Sequence, residues 1–233
     1  MNVAKKAVFD RCDNILNGDG FKLIRSRSTY VRRTEFGFMS VSISGYDEAD
    51  GGDTVLHVGL GVRHDNVDNI VNELGHVVGK FTSYTTTVFR GLEHFPFVYG
   101  RDHCHRIRKE VFEDDVCDVS DRIIEMYAGD GRGFLKNYSS IESCSIGLNE
   151  TISIEPHALQ NEFCIRSYYG VACAAFAYPR TVPALLERYR HFIENNNIVD
   201  SRRYSKFPDL RGRQGILARI DYVASSALAA RVN

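Results

Sequence analysis

Residues 20–63 read GFKLIRSRSTYVRRTEFGFMSVSISGYDEADGGDTVLHVGLGVR. Three runs of strand-forming residues lie in this stretch, separated by short turn signals. The clearest is the second, where Met39, Val41 and Ile43 alternate with Ser40, Ser42 and Ser44. That is the period-two pattern of a half-buried strand. The third, residues 54–63, places Leu56, Val58, Leu60 and Val62 on one face and His57, Gly59, Gly61 and Arg63 on the other. The first, residues 21–33, has Phe21 and Leu23 on one side and a polar middle, Arg25-Ser26-Arg27-Ser28, which reads as a turn or a charged edge. Between the second and third runs, Asp47 to Asp53 is a carboxylate- and glycine-rich loop. Its spacing lacks the alternating ligands and closing glutamate of an EF-hand, so a solvated hairpin loop is expected.

The third run also carries the candidate binding surface. Two glycines on one face weaken a strand unless something approaches its backbone closely. A packed helix is the expected filler and a ligand the alternative. His57, Gly59, Gly61 and Arg63 are accordingly the candidate binding residues.

Helical periodicity surrounds this sheet. Val8, Cys12, Ile15 and Leu16 form an apolar stripe that Gly18 and Gly20 end, giving an N-terminal helix that covers one sheet face. Asp65 reads as an N-cap for Val67, Ile70, Val71 and Leu74, with Gly75 as the stop. Residues 82–88, rich in threonine, tyrosine and valine, read as a strand, and residues 95–99 as another short strand or edge. From Ser120 onward the chain reads as helical. Gly129-Asp130-Gly131-Arg132-Gly133 is an expected interhelical break, and residues 159–177 and 181–193 are an expected αα-hairpin. A loop is expected over residues 202–215, followed by a last helix. The fold class is therefore α+β: a four- to five-stranded, mainly antiparallel sheet with an N-terminal covering helix, then a mostly helical C-terminal half. The expected division is residues 1–118 for the sheet and 119–233 for the helical part.

Composition bounds the function. With 233 residues and an ordinary hydrophobic fraction, the chain can bury a substantial core unaided. A formal net charge of -1 removes the simplest argument for nucleic-acid binding. The basic stretch Arg202, Arg203, Lys206, Arg211 and Arg213 is diluted by Asp200, Asp209 and Asp221, and no nucleic-acid partner is expected. No apolar run is long enough to span a bilayer, and the N-terminus lacks the apolar core of a signal peptide, so the expected location is the cytoplasm. The six cysteines, Cys12, Cys104, Cys117, Cys144, Cys164 and Cys173, form no C-x-x-C pair and read as free thiols of a reducing compartment.

Catalytic signatures are missing. The chain contains no G-x-S-x-G elbow, no H-E-x-x-H and no P-loop; the glycine run at 129–133 lacks the following Lys-Ser/Thr and follows a helix. His103-Cys104-His105, near His94, is the densest group of metal-capable side chains. His103 and His105 share one side if extended, but the spacing matches no zinc motif, and no cofactor or metal is expected.

Gly20-Phe21-Lys22 and Tyr30-Val31-Arg32-Arg33, set after an N-terminal helix and before two more strands, resemble uncharacterised bacterial helix-plus-sheet domains of the kind found among toxin-immunity proteins. The resemblance covers roughly the first 75 residues. It implies a non-enzymatic cytoplasmic protein that neutralises a cognate toxin by direct complex formation. The alternative is an enzyme or small-ligand-binding protein using a pocket near His57 and Arg63.

Overall fold

In a computed structural model, residues 3–48, 52–77, 79–91, 105–160, 162–198, 200, 204–207 and 212–232 are described. The fold is α+β, as the patterning predicts. The chain divides into two compact units: residues 1–62 with 89–137, and residues 63–88 with 138–233. The expected boundary after Asp118 falls inside a helix, α3 (Phe112–Met126).

The first unit holds the sheet. Strands β1 (Lys22–Ile24), β2 (Thr29–Thr34), β3 (Gly37–Asp47), β4 (Thr54–His64) and β5 (Val88–Gly91) follow one another in order, and β6 (His105–Ile107) also pairs with β4. β1–β2, β2–β3 and β4–β6 are antiparallel. The first expected strand is thus two strands. Arg25–Arg27 form a 3-10 turn between them, and Ser28 closes it at φ 52°, the left-handed region. Thr29 then pairs with Ile24.

One sheet face is buried. Val41, Ile43, Leu56, Leu60 and Val62 are fully shielded, against the apolar stripes of α1 (Val3–Gly18) and α3. Each such side chain contributes about 1.5–3 kcal/mol of apolar burial. Polar links fix the helices. The Tyr30 hydroxyl lies 2.6 Å from the Asp13 carboxylate and 2.9 Å from the Phe9 carbonyl oxygen, tying β2 to α1.

The glycine run at 129–133 does not break the helix. Tyr127–Gly131 form a π-helical turn joining α3 to α4 (Arg132–Asn137). Asp19 pins both ends of that turn, accepting from Tyr127 Oη at 2.6 Å and from Arg132 Nε at 2.7 Å. Gly131 is buried close to Leu60, where an added Cβ would lie 3.0 Å from Leu60 Cδ1. These contacts outweigh the intrinsic cost of glycine in a helix, about 1 kcal/mol per residue.

The second unit is helical. α6 (Phe163–Ala177) is its centre, buried from Phe163 to Ala175. A helix apolar all round must be enclosed, and α2 (Asp65–Asn72), α5 (Ile141–Asn149), α7 (Val182–Asn195) and α8 (Gly212–Val232) pack on it directly or through one another. α6 begins at Phe163, four residues later than expected; residues 159 and 160 precede it as turn and coil. α8 begins at Gly212, earlier than expected, with Gly212 at φ 60°. Residues 82–88 are not a strand. A 3-10 segment, Gly79–Tyr84, occupies their start and β5 begins only at Val88.

Candidate functional site

The sheet face opposite α1 carries the strip predicted from the third strand. Successive strand side chains alternate between faces, so His57, Val55 and Gly59 share this one. Tyr46 of β3 lies on it too, stacked on His57 with ring centroids 6.1 Å apart and planes inclined by 30°. β6 adds Arg106, the direct cross-strand partner of Val55. β5 adds Phe89. A Cβ built on Gly59 would lie 2.1 Å from Phe89 Cζ. The space above Gly59 is therefore filled by an aromatic ring from the neighbouring strand, in place of the helix expected there.

Tyr46, His57 and Phe89 are exposed, Tyr46 at 58% and Phe89 at 42%. At one side of these rings Arg106 bridges Glu48 at 2.8 Å and Asp53 at 3.1 Å. Ser44, also exposed, extends the face along β3. The result is an aromatic group with a charged, solvated rim. Its chemistry is that of apolar and stacking contact bounded by ion pairs, with no nucleophile and base brought together on it among the described residues.

Arg63, the fourth predicted binding residue, has a different role. It and His64 belong to the second unit, whereas His57, Gly59 and Gly61 belong to the first. Arg63 is 5% exposed. Its Nε donates to Asp65 at 2.5 Å, Nη1 to Thr82 O and Thr85 Oγ1 at 2.8 Å each, and Nη2 to Asn69 Oδ1 at 3.1 Å. Asp65 is the first residue of α2 and holds Arg63, instead of serving as N-cap; His64 stands at that position. Arg63 also faces Asp68 at 3.5 Å. Asp68 is fully buried and accepts from Thr87 Oγ1 at 2.5 Å and Tyr169 Oη at 3.1 Å. Burial raises its pKa, against the lowering pull of Arg63 and the hydroxyls. The threonines that mimic a strand in sequence are the acceptors and donors of this network.

Next to it lies a group that sequence reading missed. His64 Nε2 is 3.5 Å from Cys144 Sγ, and both approach the Tyr138 carbonyl oxygen, at 2.9 and 3.2 Å. The Cys173 thiol hydrogen-bonds to Cys144. That bond and the His64 imidazole lower the Cys144 pKa to about 6, against burial. For His64, burial favours the neutral ring, but Cys144, the Tyr138 carbonyl and Asp68 outweigh it and the pKa is raised. His64 and Cys144 are 80 positions apart, so no local motif announces them.

Of the weak metal candidates, His103 lies outside the described residues. His105 is buried beneath the sheet's covered face, where burial and Arg122 depress its pKa to about 4. Among the described residues no group of three or more His, Cys, Asp or Glu side chains is placed to hold a metal ion. Nor, among them, is any helix long and apolar enough to cross a membrane. The chain matches no known protein family, no curated protein and no solved structure.

Proposed function

We propose that this chain is a non-enzymatic cytoplasmic binding protein, a bacterial immunity protein that neutralises a cognate toxin by direct complex formation. The observation that carries the reading is the exposed aromatic group Tyr46, His57 and Phe89 on a rigid sheet, with Arg106, Glu48 and Asp53 at its rim. Protein interfaces concentrate their energy in aromatic and arginine anchors within a polar rim. The N-terminal resemblance to toxin-immunity domains supports the same reading. The alternative, a small-ligand or catalytic pocket joining His57 to Arg63, draws no support from Arg63, whose guanidinium is engaged by Asp65, Asn69, Thr82 and Thr85.

The test is protection in cells. The protein encoded by the neighbouring gene, which the proposal requires to be a toxin, is expressed with and without the chain, and survival is scored. Rescue by the native chain, lost with a Tyr46→Ala/Phe89→Ala variant that still folds, is expected. Survival unaffected by the native chain rejects the proposal.

A further inference from the structure

We propose that Cys144 and Cys173 form a dithiol that hydrogen peroxide oxidises to a disulfide, with His64 as the cation that holds Cys144 as a thiolate. Three features converge on it. Cys144 Sγ lies 3.5 Å from His64 Nε2, whose N–H faces both the Tyr138 carbonyl oxygen and the sulfur and so favours the thiolate. The second thiol, Cys173, is already hydrogen-bonded to the first. The backbones that carry them are held close: Asn149 Nδ2 of α5 donates to the Gly170 carbonyl of α6 at 2.9 Å, and a Cβ on Gly170 would lie 2.5 Å from Asn149 Oδ1. One turn along α6 from that contact stands Cys173. A disulfide needs such proximity, with Cα atoms about 4.4–6.8 Å apart.

The two thiols are differentiated as an attacking and a resolving sulfur require. Cys144 has its pKa lowered to about 6, chiefly by the Cys173 hydrogen bond and His64, whereas burial raises that of Cys173. The groups facing Cys144 are His64 from the end of β4, Asp68 from α2, which opposes ionisation, and Cys173 from α6. Glu142, on its own helix, has its pKa lowered chiefly by the Ser140 hydroxyl and in smaller part by His64. Both thiols are fully buried, yet Glu142, two residues before Cys144, is exposed, and Tyr138, Ser139 and Ser140 are half-buried.

In the reaction the Cys144 thiolate, paired with the His64 imidazolium, attacks one peroxide oxygen. An S–O bond forms as the O–O bond breaks, and the departing hydroxide takes the proton from His64 and leaves as water. The Cys173 sulfur then attacks the sulfenic sulfur. The S–S bond forms, the S–O bond breaks, and the hydroxide leaves with the Cys173 proton as a second water. Two thiols are oxidised and the peroxide is reduced to water. The product staples α5 to α6.

The full chain, reduced and then exposed to hydrogen peroxide over a range of pH, is quenched by alkylation and its peptides weighed. A Cys144–Cys173 cross-link is expected, with a rate half-maximal near the Cys144 pKa of about 6. Cys173→Ser should stop at a Cys144 sulfenic acid that a 1,3-dione traps. His64→Gln should slow oxidation at neutral pH by about tenfold or more, because the thiolate fraction falls. Cys117, the half-buried thiol, is the internal control. Oxidation of Cys117 while Cys144 and Cys173 stay reduced, or a cross-link that forms only after denaturation, overturns the proposal.

Discussion

Phe89 occupies the space that a side chain at Gly59 would need, its Cζ 2.1 Å from where a Cβ at 59 would stand. Position 59 is glycine because the tip of a ring from the next strand occupies the place of its side chain. The same ring is 42% exposed on its outer side. One residue thus closes the sheet and faces outward as part of the aromatic group.

Gly59→Ala should force the Phe89 ring aside, and Gly45→Ala should drive a methyl group into the Val55 carbonyl oxygen, 2.3 Å from the Cβ position. A ring can swing away; a paired strand cannot. The expected costs are about 1 kcal/mol at 59 and about 3 kcal/mol at 45. Adding Phe89→Ala should relieve the first and leave the second unchanged. Urea unfolding of the four variants measures this, and equal costs at both positions with no relief would refute it.

His105 makes the sheet's stability fall with acid. Its pKa is about 4 in the folded chain against 6.5 when unperturbed, because burial, Arg122 and His57 disfavour the cation more than Asp118 favours it. Between those values the unfolded chain binds the proton and the folded chain does not. The full contribution is therefore present above pH 6.5 and is lost as pH falls toward 4. A shift of this size corresponds to about 3 kcal/mol. His105→Gln should flatten that part of the stability–pH curve; an unchanged slope would show that His105 does not cause it.

Asp200 and Arg219 are a buried ion pair in the helical unit, their side chains 1% and 2% exposed and 3.5 Å apart. Arg219 also donates to Tyr168 Oη at 2.9 Å and lies 3.9 Å over the Tyr204 ring, while Tyr204 Oη donates to Asp200 at 2.7 Å. Asp200→Ala leaves a buried cation without its carboxylate, at an expected cost of about 3–5 kcal/mol. The double change Asp200→Asn/Arg219→Met should recover part of it. A single-variant loss below about 1 kcal/mol, the usual value for an exposed pair, would mean the pair is solvated.

The fold was legible where side chains repeat with a single period. Met39, Val41 and Ile43 against the serines define β3, and the Val8–Leu16 stripe defines α1. Reading failed where tertiary contacts override local preference. Three glycines at 129–133 predict a break, yet Asp19, more than a hundred residues away, holds Tyr127 and Arg132 so that the helix continues. Thr82, Thr85 and Thr87 have strand propensity but are drawn into Arg63, Asn72 and Asp68. The strip at His57 and Gly59 was visible as an anomaly, because glycines on an alternating strand require a filler. Its filler was not, since Phe89 carries no mark that distinguishes it from other apolar residues. Cys144 and His64 meet only through packing.

The most direct test of the binding reading is calorimetric titration of the purified chain with the protein encoded by the neighbouring gene, which the proposal requires to be a toxin. A one-to-one complex is expected. Tyr46→Ala and Phe89→Ala should each weaken it by about thirtyfold, the effect of losing an anchor worth about 2 kcal/mol, and Tyr46→Ala, at a residue 58% exposed, should leave the unfolding midpoint nearly unchanged. No heat of binding, or a complex indifferent to both substitutions, would contradict the account.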